Sequence, residues 1–177
     1  MRTMIRPSLL AAFVLLPAVA VAQDSPSPEE RFAGTWVVSD AGPAERARDA
    51  AVESATDDMN FISRPIARRR LEAGTPIHRR VVVSGTGSDF RAQVGEYDLD
   101  FAADGSRHRI DDPWGDPLNA RQRFQRGRLV QTMTTDDATV THTLALSEDG
   151  QRLTLTVKIE SHHLPGDVVF RIHYRKS

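Results

Sequence analysis

From Ile77 to the C-terminus, apolar side chains recur on every second residue, and no other feature constrains this chain as strongly. Phe90, Ala92 and Val94 alternate with Arg91 and Gln93, and Tyr97, Leu99 and Phe101 alternate with Asp98 and Asp100. Leu153, Leu155, Val157 and Ile159 alternate with Thr154, Thr156, Lys158 and Glu160. Val168, Phe170, Ile172 and Tyr174 alternate with Val169, Arg171, His173 and Arg175. A period of two gives each strand one face for a core and one for water, the pattern of antiparallel sheets. Turn signals separate the runs: Ser84 to Ser88 with two glycines, Asp104-Gly105, Arg126-Gly127, Asp149-Gly150 and Pro165-Gly166. Many short strands with one wet face need either two packed sheets or one closed sheet, and only closure removes the exposed edges. The expected fold is mainly β, an antiparallel up-and-down barrel of about 8–10 strands with one helix after the first strand. A β-sandwich is the alternative.

The N-terminal part reads differently. Arg2 and Arg6, an apolar stretch from Leu9 to Val21 and the small-x-small tripeptide Ala20-Val21-Ala22 make residues 1–22 a secretory signal, cut after Ala22. The apolar run is short for a membrane span, which takes about 20 residues; an uncleaved anchor is the alternative. Residues 23–30, with Ser25-Pro26 and Ser27-Pro28, form an expected flexible lead-in, and residues 31–177 form the domain. Arg31 to Ser39 is the first strand. The helix that follows takes Gly42 as N-cap and Pro43 as its first residue. Its apolar stripe is Val52, Ala55, Met59, Ile62 and Ile66. Pro65 should break it near Arg64, with a short further turn stopped by Gly74.

Composition removes several functions. The chain has no cysteine, so disulfides, thiolate metal sites, thiol nucleophiles and a lipidated N-terminal cysteine are excluded. Its formal charge is −1, and loss of Arg2 and Arg6 with the leader leaves about −3, which gives no reason to expect nucleic acid as partner. Of the 23 basic residues only Lys158 and Lys176 are lysines, which reads as the codon bias of a GC-rich, bacterial genome. No membrane span is expected after removal of the signal, and the oligomeric state stays open.

The first strand carries Phe32-Ala33-Gly34-Thr35-Trp36. This resembles the Gly-x-Trp signature that opens lipocalins and related calycin barrels. The resemblance implies a divergent bacterial lipocalin-like barrel in which Gly34 lets the chain bend and Trp36 closes the narrow end. It also implies a basic residue of the last strand, Arg171 or Arg175, over the indole. The chain departs from the family in its longer helix after the first strand and in having no Thr-Asp-Tyr segment.

A barrel of eight strands encloses packed side chains or one small ligand, so the inward rows are the place to look for function. Val140, His142, Leu144 and Leu146 share a face, as do His108 and Ile110. Each row puts an imidazole among aliphatic groups, most simply as a core histidine satisfied by a neighbour. Candidate cavity residues are Tyr97, His108, Phe124, Met133, His142, Phe170 and Tyr174, with His142 or His108 orienting the ligand. His162 and His163, with His173 as a third, can approach one cation, but no His-x-His or His-Glu-x-x-His spacing is present, and neither metal nor other cofactor is assigned. A haem ligand would need an imidazole beside a large apolar pocket. The loop Asp111-Asp112-Pro113-Trp114-Gly115-Asp116-Pro117 is turn-rich, with Trp114 available as a lid, and matches no calcium loop.

The leading expectation is a secreted or periplasmic binding protein for a small, largely apolar molecule. The alternative is a non-catalytic envelope module using Arg64, Arg68, Arg69, Arg70, Arg79 and Arg80 on an anionic partner. A small barrel enzyme or haem protein with an inward histidine ranks last, because neither Gly-x-Ser-x-Gly, Ser-x-x-Lys nor a phosphate loop before a helix is present.

Overall fold

Ten strands form one antiparallel sheet in this computed structural model, which describes residues 26–112 and 115–177. Residues 1–25, with the expected signal, and residues 113–114, with Trp114, lie outside the described residues. In chain order the elements are α1 (Pro28–Phe32), β1 (Gly34–Val38), α2 (Ala41–Thr56), α3 (Ser63–Gly74), β2 (Arg80–Ser84), β3 (Arg91–Val94), β4 (Tyr97–Asp100), β5 (His108–Asp111), β6 (Pro117–Gln125), β7 (Arg128–Thr134), β8 (Ala138–Leu146), β9 (Arg152–Ser161) and β10 (Val168–Lys176).

The sheet runs β4-β3-β2-β1-β10-β9-β8-β7-β6-β5 and curls so that its alternate residues face one interior. Among the described residues there is no second layer of strands, so the sandwich alternative falls away. The two end strands, β4 and β5, do not pair. Their seam is bridged where Asp104 pairs with Arg123, where the Gly105 N–H donates to Gln122 O at 2.8 Å, and where the Gln122 side chain donates to the carbonyls of Leu99 and Phe101. A buried amide therefore does locally what a ladder of main-chain bonds does elsewhere.

Three local readings change. The lead-in ends in a helical turn instead of flexible chain: Ser27 and Glu30 cap each other reciprocally at 2.7 and 3.2 Å, with Pro28 at the first position. The N-cap of α2 is the Asp40 carboxylate, which accepts from Gly42 N at 3.0 Å, so Gly42 lies inside the helix. The single expected helix is two. Asn60 Oδ1 accepts from Ile62 N and Ser63 N, which starts α3, and Pro65 falls in its first turn, where a missing N–H costs nothing. Pro65 thus opens a helix instead of breaking one.

Trp36 is fully buried and its indole N–H donates to Phe32 O at 3.0 Å. The cation over it is Lys176, whose Nζ lies 5.5 Å from the ring centroid. Arg171 and Arg175 are exposed on the other face of β10, in phase with Val169 and His173. The pairing of Trp36 with Lys176 across β1 and β10 explains the difference. Gly34 has φ +135°, and a Cβ there would sit 3.1 Å from Lys176 Cε, so glycine both makes the bend and leaves room for that lysine. Around Trp36 the core gathers Phe32, Phe90, Leu129, Leu144, Leu153, Leu155 and Ile172, and a smaller cluster gathers Leu99, Leu118, Ala120 and Met133. Truncating one such aromatic costs roughly 3–5 kcal/mol.

Candidate functional site

The core does not fill the interior evenly. A cavity of about 340 Å³ lies between the C-terminal end of α3, the turn joining β3 to β4, and the inner faces of β8, β9 and β10. Cross-strand register builds its apolar wall. Val140 stands opposite Ile159 and His142 opposite Val157, while Val157 stands opposite Phe170. These pairs place Val140, Val157, Ile159 and Phe170 side by side. Three aromatic groups close the other side. Tyr97 and His142 meet edge to face at 6.2 Å between centroids, and His78 and His142 do so at 6.4 Å.

His78 sits on the loop between α3 and β2. Thr75 Oγ1 donates to Leu71 O at 2.6 Å and finishes α3. Tyr174 donates to His78 O at 2.9 Å. The ring itself rests on Gly95, which has φ +62° and where a Cβ would come within 1.9 Å of His78 Nδ1. No larger residue fits beneath that imidazole.

Burial sets the charge state of the cavity. Loss of water, helped by repulsion from His78, lowers the His142 pKa to about 3. Burial also lowers the His78 pKa, more than the Glu96 carboxylate at the mouth raises it. Burial, with Asp112 and Glu96 nearby, raises the Tyr97 pKa and keeps the phenol protonated. At neutral pH the three aromatic groups are therefore uncharged. Nδ1 of His142 has no hydrogen-bond partner, and neither has Oε1 of Gln131.

Of the residues expected to line a cavity, Tyr97, His142 and Phe170 do so. Tyr174 is buried behind them and holds the His78 loop. Phe124 packs in the main core, edge-on to Phe32 and Phe90 at 5.5 Å each. Met133 belongs to the smaller cluster. His108 stacks on Phe101 at 3.9 Å and lies away from His142. The second imidazole of the cavity is His78, which precedes the alternation of Val81 and Val83 and is out of its phase, so no pattern announced it. Gln122 and Gln131 did have a signal: each is a polar residue in an inward apolar row. Register puts Gln122 opposite Gln131, and Gln131 opposite His142, so one buried polar row crosses β6, β7 and β8.

An apolar groove of about 490 Å³ adjoins the cavity, with Met59, Ile66 and Leu71 on the helical side and Leu164 opposite, and Ile159 lines both spaces. A larger hollow of about 650 Å³, between the start of α2 and the outward Val169, Arg171 and His173 of β10, has no buried polar group converging on it. Among the described residues, Asp137, His162 and His163 are the histidine and acidic side chains able to approach one cation, their ligand atoms lying within 4.8 Å of one another. All three are exposed, and His163 is 3.5 Å from Asp137. His173, the third ligand considered from sequence, instead meets Thr154 at 3.2 Å. In the arginine cluster, Arg64 donates to Met59 O and Arg68 donates to Thr56 Oγ1 at 3.0 Å, so these two knit α3 to α2. Arg69, Arg70, Arg79 and Arg80 are exposed. No helix among the described residues is long and apolar enough to cross a membrane.

No family model and no curated protein matches the sequence. Solved structures do match its shape. A secretory abundant heat soluble protein from Ramazzottius varieornatus aligns with a TM-score of 0.55 at 15% identity, over 83% of this chain and 96% of that one. Fatty-acid-binding protein 1 of Echinococcus granulosus aligns with a TM-score of 0.51 at 15% identity, over 83% and 98%. A Schistosoma mansoni fatty acid binding protein in complex with arachidonic acid aligns with a TM-score of 0.51 at 15% identity, over 85% and 99%. At this identity the likeness speaks for the fold: the chain is a curled antiparallel barrel of the kind that fatty-acid-binding proteins form.

Proposed function

We propose that this chain is an exported binding protein, secreted or periplasmic, that holds a small, largely apolar molecule in the cavity beside His142. The observation that carries the reading is the cavity itself: about 340 Å³, walled by Val140, Val157, Ile159 and Phe170, with the buried His142 ring among its lining. That volume falls at the lower end of ligand sites. It takes roughly ten non-hydrogen atoms at about 30 Å³ each. The groove at Ile159 gives a longer chain somewhere to continue. Binding energy comes from apolar burial at about 25 cal/mol per Å². The arachidonic acid complex of the Schistosoma protein supports the reading as an instance of this fold around an apolar chain. The leader-like residues 1–22 support export.

Native mass spectrometry of protein purified from its own cells should show a small adduct that organic extraction removes. Val157→Trp should abolish uptake of a neutral apolar dye while the protein stays folded. Equal dye uptake by that variant overturns the assignment of the cavity. Export is read from cell fractionation and from a mature N-terminus at Gln23.

A second reading has its own observation. Phe61, Ile62 and Ile66 are 86%, 64% and 55% exposed, beside exposed Arg69 and Arg70. An exposed apolar patch with arginines three and four residues beyond Ile66 on the same helix suits an anionic envelope surface. Sedimentation with anionic vesicles, lost in Phe61→Ser and not seen with neutral vesicles, is its test.

A further inference from the structure

We propose that Asp137, His162 and His163 form a binding site for a divalent transition-metal ion of the zinc class. The site lies at the surface, and the proposal does not depend on the cavity reading above. Among the described residues these three are the histidine and acidic side chains whose ligand atoms converge, all within 4.8 Å of one another. Two already stand at coordination spacing: His163 Nε2 is 3.5 Å from Asp137 Oδ1. Ligand atoms bonded to a tetrahedral zinc at about 2.1 Å are about 3.4 Å apart. The His162 ring lies against that of His163, with 3.8 Å between centroids and the planes tilted by 45°. Neighbouring side chains of a strand point to opposite faces. Here the pair follows β9, in a turn closed by Leu164 N donating to Ser161 O at 3.1 Å, and the two imidazoles come together.

The backbone beneath these side chains is held from both sides. Ala138 and Ser161 end the β8–β9 ladder as a cross-strand pair, so Asp137 and His162 are the next residues on their chains. Ser161 Oγ donates to Asp137 O at 2.8 Å and accepts from His163 N at 3.3 Å, so one hydroxyl ties the two ligand-bearing turns together. Thr135 closes the turn before β8: its N donates to Ala138 O at 2.9 Å and its Oγ1 accepts from Ala138 N at 3.2 Å. Only side-chain rotation is left for an ion to order. Charge favours a cation as well. The hollow beside the cluster is lined by Asp136, Asp137, Glu160, His162 and Asp167, with no lysine or arginine in its lining. Lys158 offsets part of that charge, pairing with Glu160 at 2.8 Å and Asp167 at 3.0 Å. Two imidazoles with one carboxylate suit zinc, nickel and copper, whereas calcium and magnesium take oxygen ligands. Three protein ligands leave a further position for water.

The test is calorimetric titration of the purified chain, carrying no histidine tag, with Zn²⁺ at pH 7.5. One ion per chain should bind, displaced by Ni²⁺ but not by excess Mg²⁺ or Ca²⁺. His162→Ala, His163→Ala and Asp137→Asn should each weaken binding about tenfold or more, at least what loss of an outer-shell partner costs. Ser161→Ala keeps every ligand and should weaken it less. His173→Ala, which removes an imidazole outside the cluster, should leave it unchanged. All are exposed or half-buried side chains, so the variants should fold. Zn²⁺ should also raise the thermal unfolding midpoint of the wild type and not that of the double variant His162→Ala with His163→Ala. Zinc affinity unchanged in that double variant overturns the site. So does an equal loss in His173→Ala, which would mean scattered surface histidines, or displacement by Ca²⁺, which would mean a plain acidic surface. No zinc uptake by the wild type overturns it as well, and none of these results bears on the cavity.

Discussion

Tyr174 donates its phenolic hydrogen to the carbonyl of His78 at 2.9 Å, across 96 positions of the chain. The bond ties the last strand to the loop that carries one wall of the cavity. Tyr174→Phe keeps the ring in the core and leaves that carbonyl short of a partner. The expected loss is about 1–2 kcal/mol, read from urea unfolding with an unchanged slope. Dye affinity should fall as well, because the His78 ring is no longer held. An unaltered affinity would mean that the loop keeps its place without the bond.

Gly95 supplies the opposite support, from beneath. Its φ of +62° disfavours any residue with a Cβ, at about 1–2 kcal/mol, and that Cβ would overlap the His78 ring at 1.9 Å. Gly95→Ala should therefore displace the imidazole in addition to lowering stability. The check is the His78 ring signal by NMR: it should move toward an ordinary, water-exposed titration, near 6.5. A folded variant with the His78 signal unmoved would contradict the packing.

His142 makes stability depend on pH in a set direction. In the fold its pKa lies at about 3, against an ordinary 6.5. Between those values the unfolded chain binds the proton and the native chain does not, so native stability falls as the solution is acidified through that window. Above 6.5 the residue adds no pH dependence. Acidifying from pH 7.5 to pH 5 should cost the protein about 2 kcal/mol through this one residue. The lowered pKa of His78 acts with the same sign. His142→Gln removes the His142 contribution, so the stability gap between wild type and variant should narrow by about 2 kcal/mol over that range. A gap independent of pH would show that the ring is hydrated in solution.

Alternation from residue 77 onward made the sheet legible, because a strand with one wet face repeats every two residues whatever its neighbours are. It also placed Tyr97, His142 and Phe170 on inward faces. It could not place His78, which lies on an irregular loop whose position depends on Tyr174 and Gly95, both far from it or out of its phase. The same alternation, applied to the last strand, already put Arg171 and Arg175 on the wet face. Lys176, the last residue of β10, took the place beside Trp36 through register with β1. A proline inside an apolar stripe reads locally as a stop, yet Pro65 lies in the first turn of α3, just after the turn in which Asn60 Oδ1 accepts from Ile62 N and Ser63 N. Buried Gln122 and Gln131 are readable as polar intruders in apolar rows, but the carbonyls they bond lie 21 to 39 positions away, beyond any local pattern.

The seam between β4 and β5 depends on one of those glutamines. Gln122 Nε2 donates to Leu99 O at 3.3 Å and to Phe101 O, and its oxygen accepts from Gln131 at 3.2 Å. Gln122→Leu fills nearly the same space but satisfies none of these groups, leaving two carbonyls and an amide N–H short of partners in a dry interior. The expected destabilisation is about 2–3 kcal/mol. Its location is more diagnostic than its size. The β3–β4 hairpin ends the sheet and has no main-chain partner beyond β4, so loss of the clamp should raise amide exchange at residues 97–100 first, while the long β8–β9 pairing stays protected. Gln122→Glu is the companion variant: it cannot donate to either carbonyl when ionised and should loosen the same hairpin. If exchange rises evenly over all ten strands, the amide is merely one more core residue; if it rises at β4 alone, the barrel is closed there by a side chain.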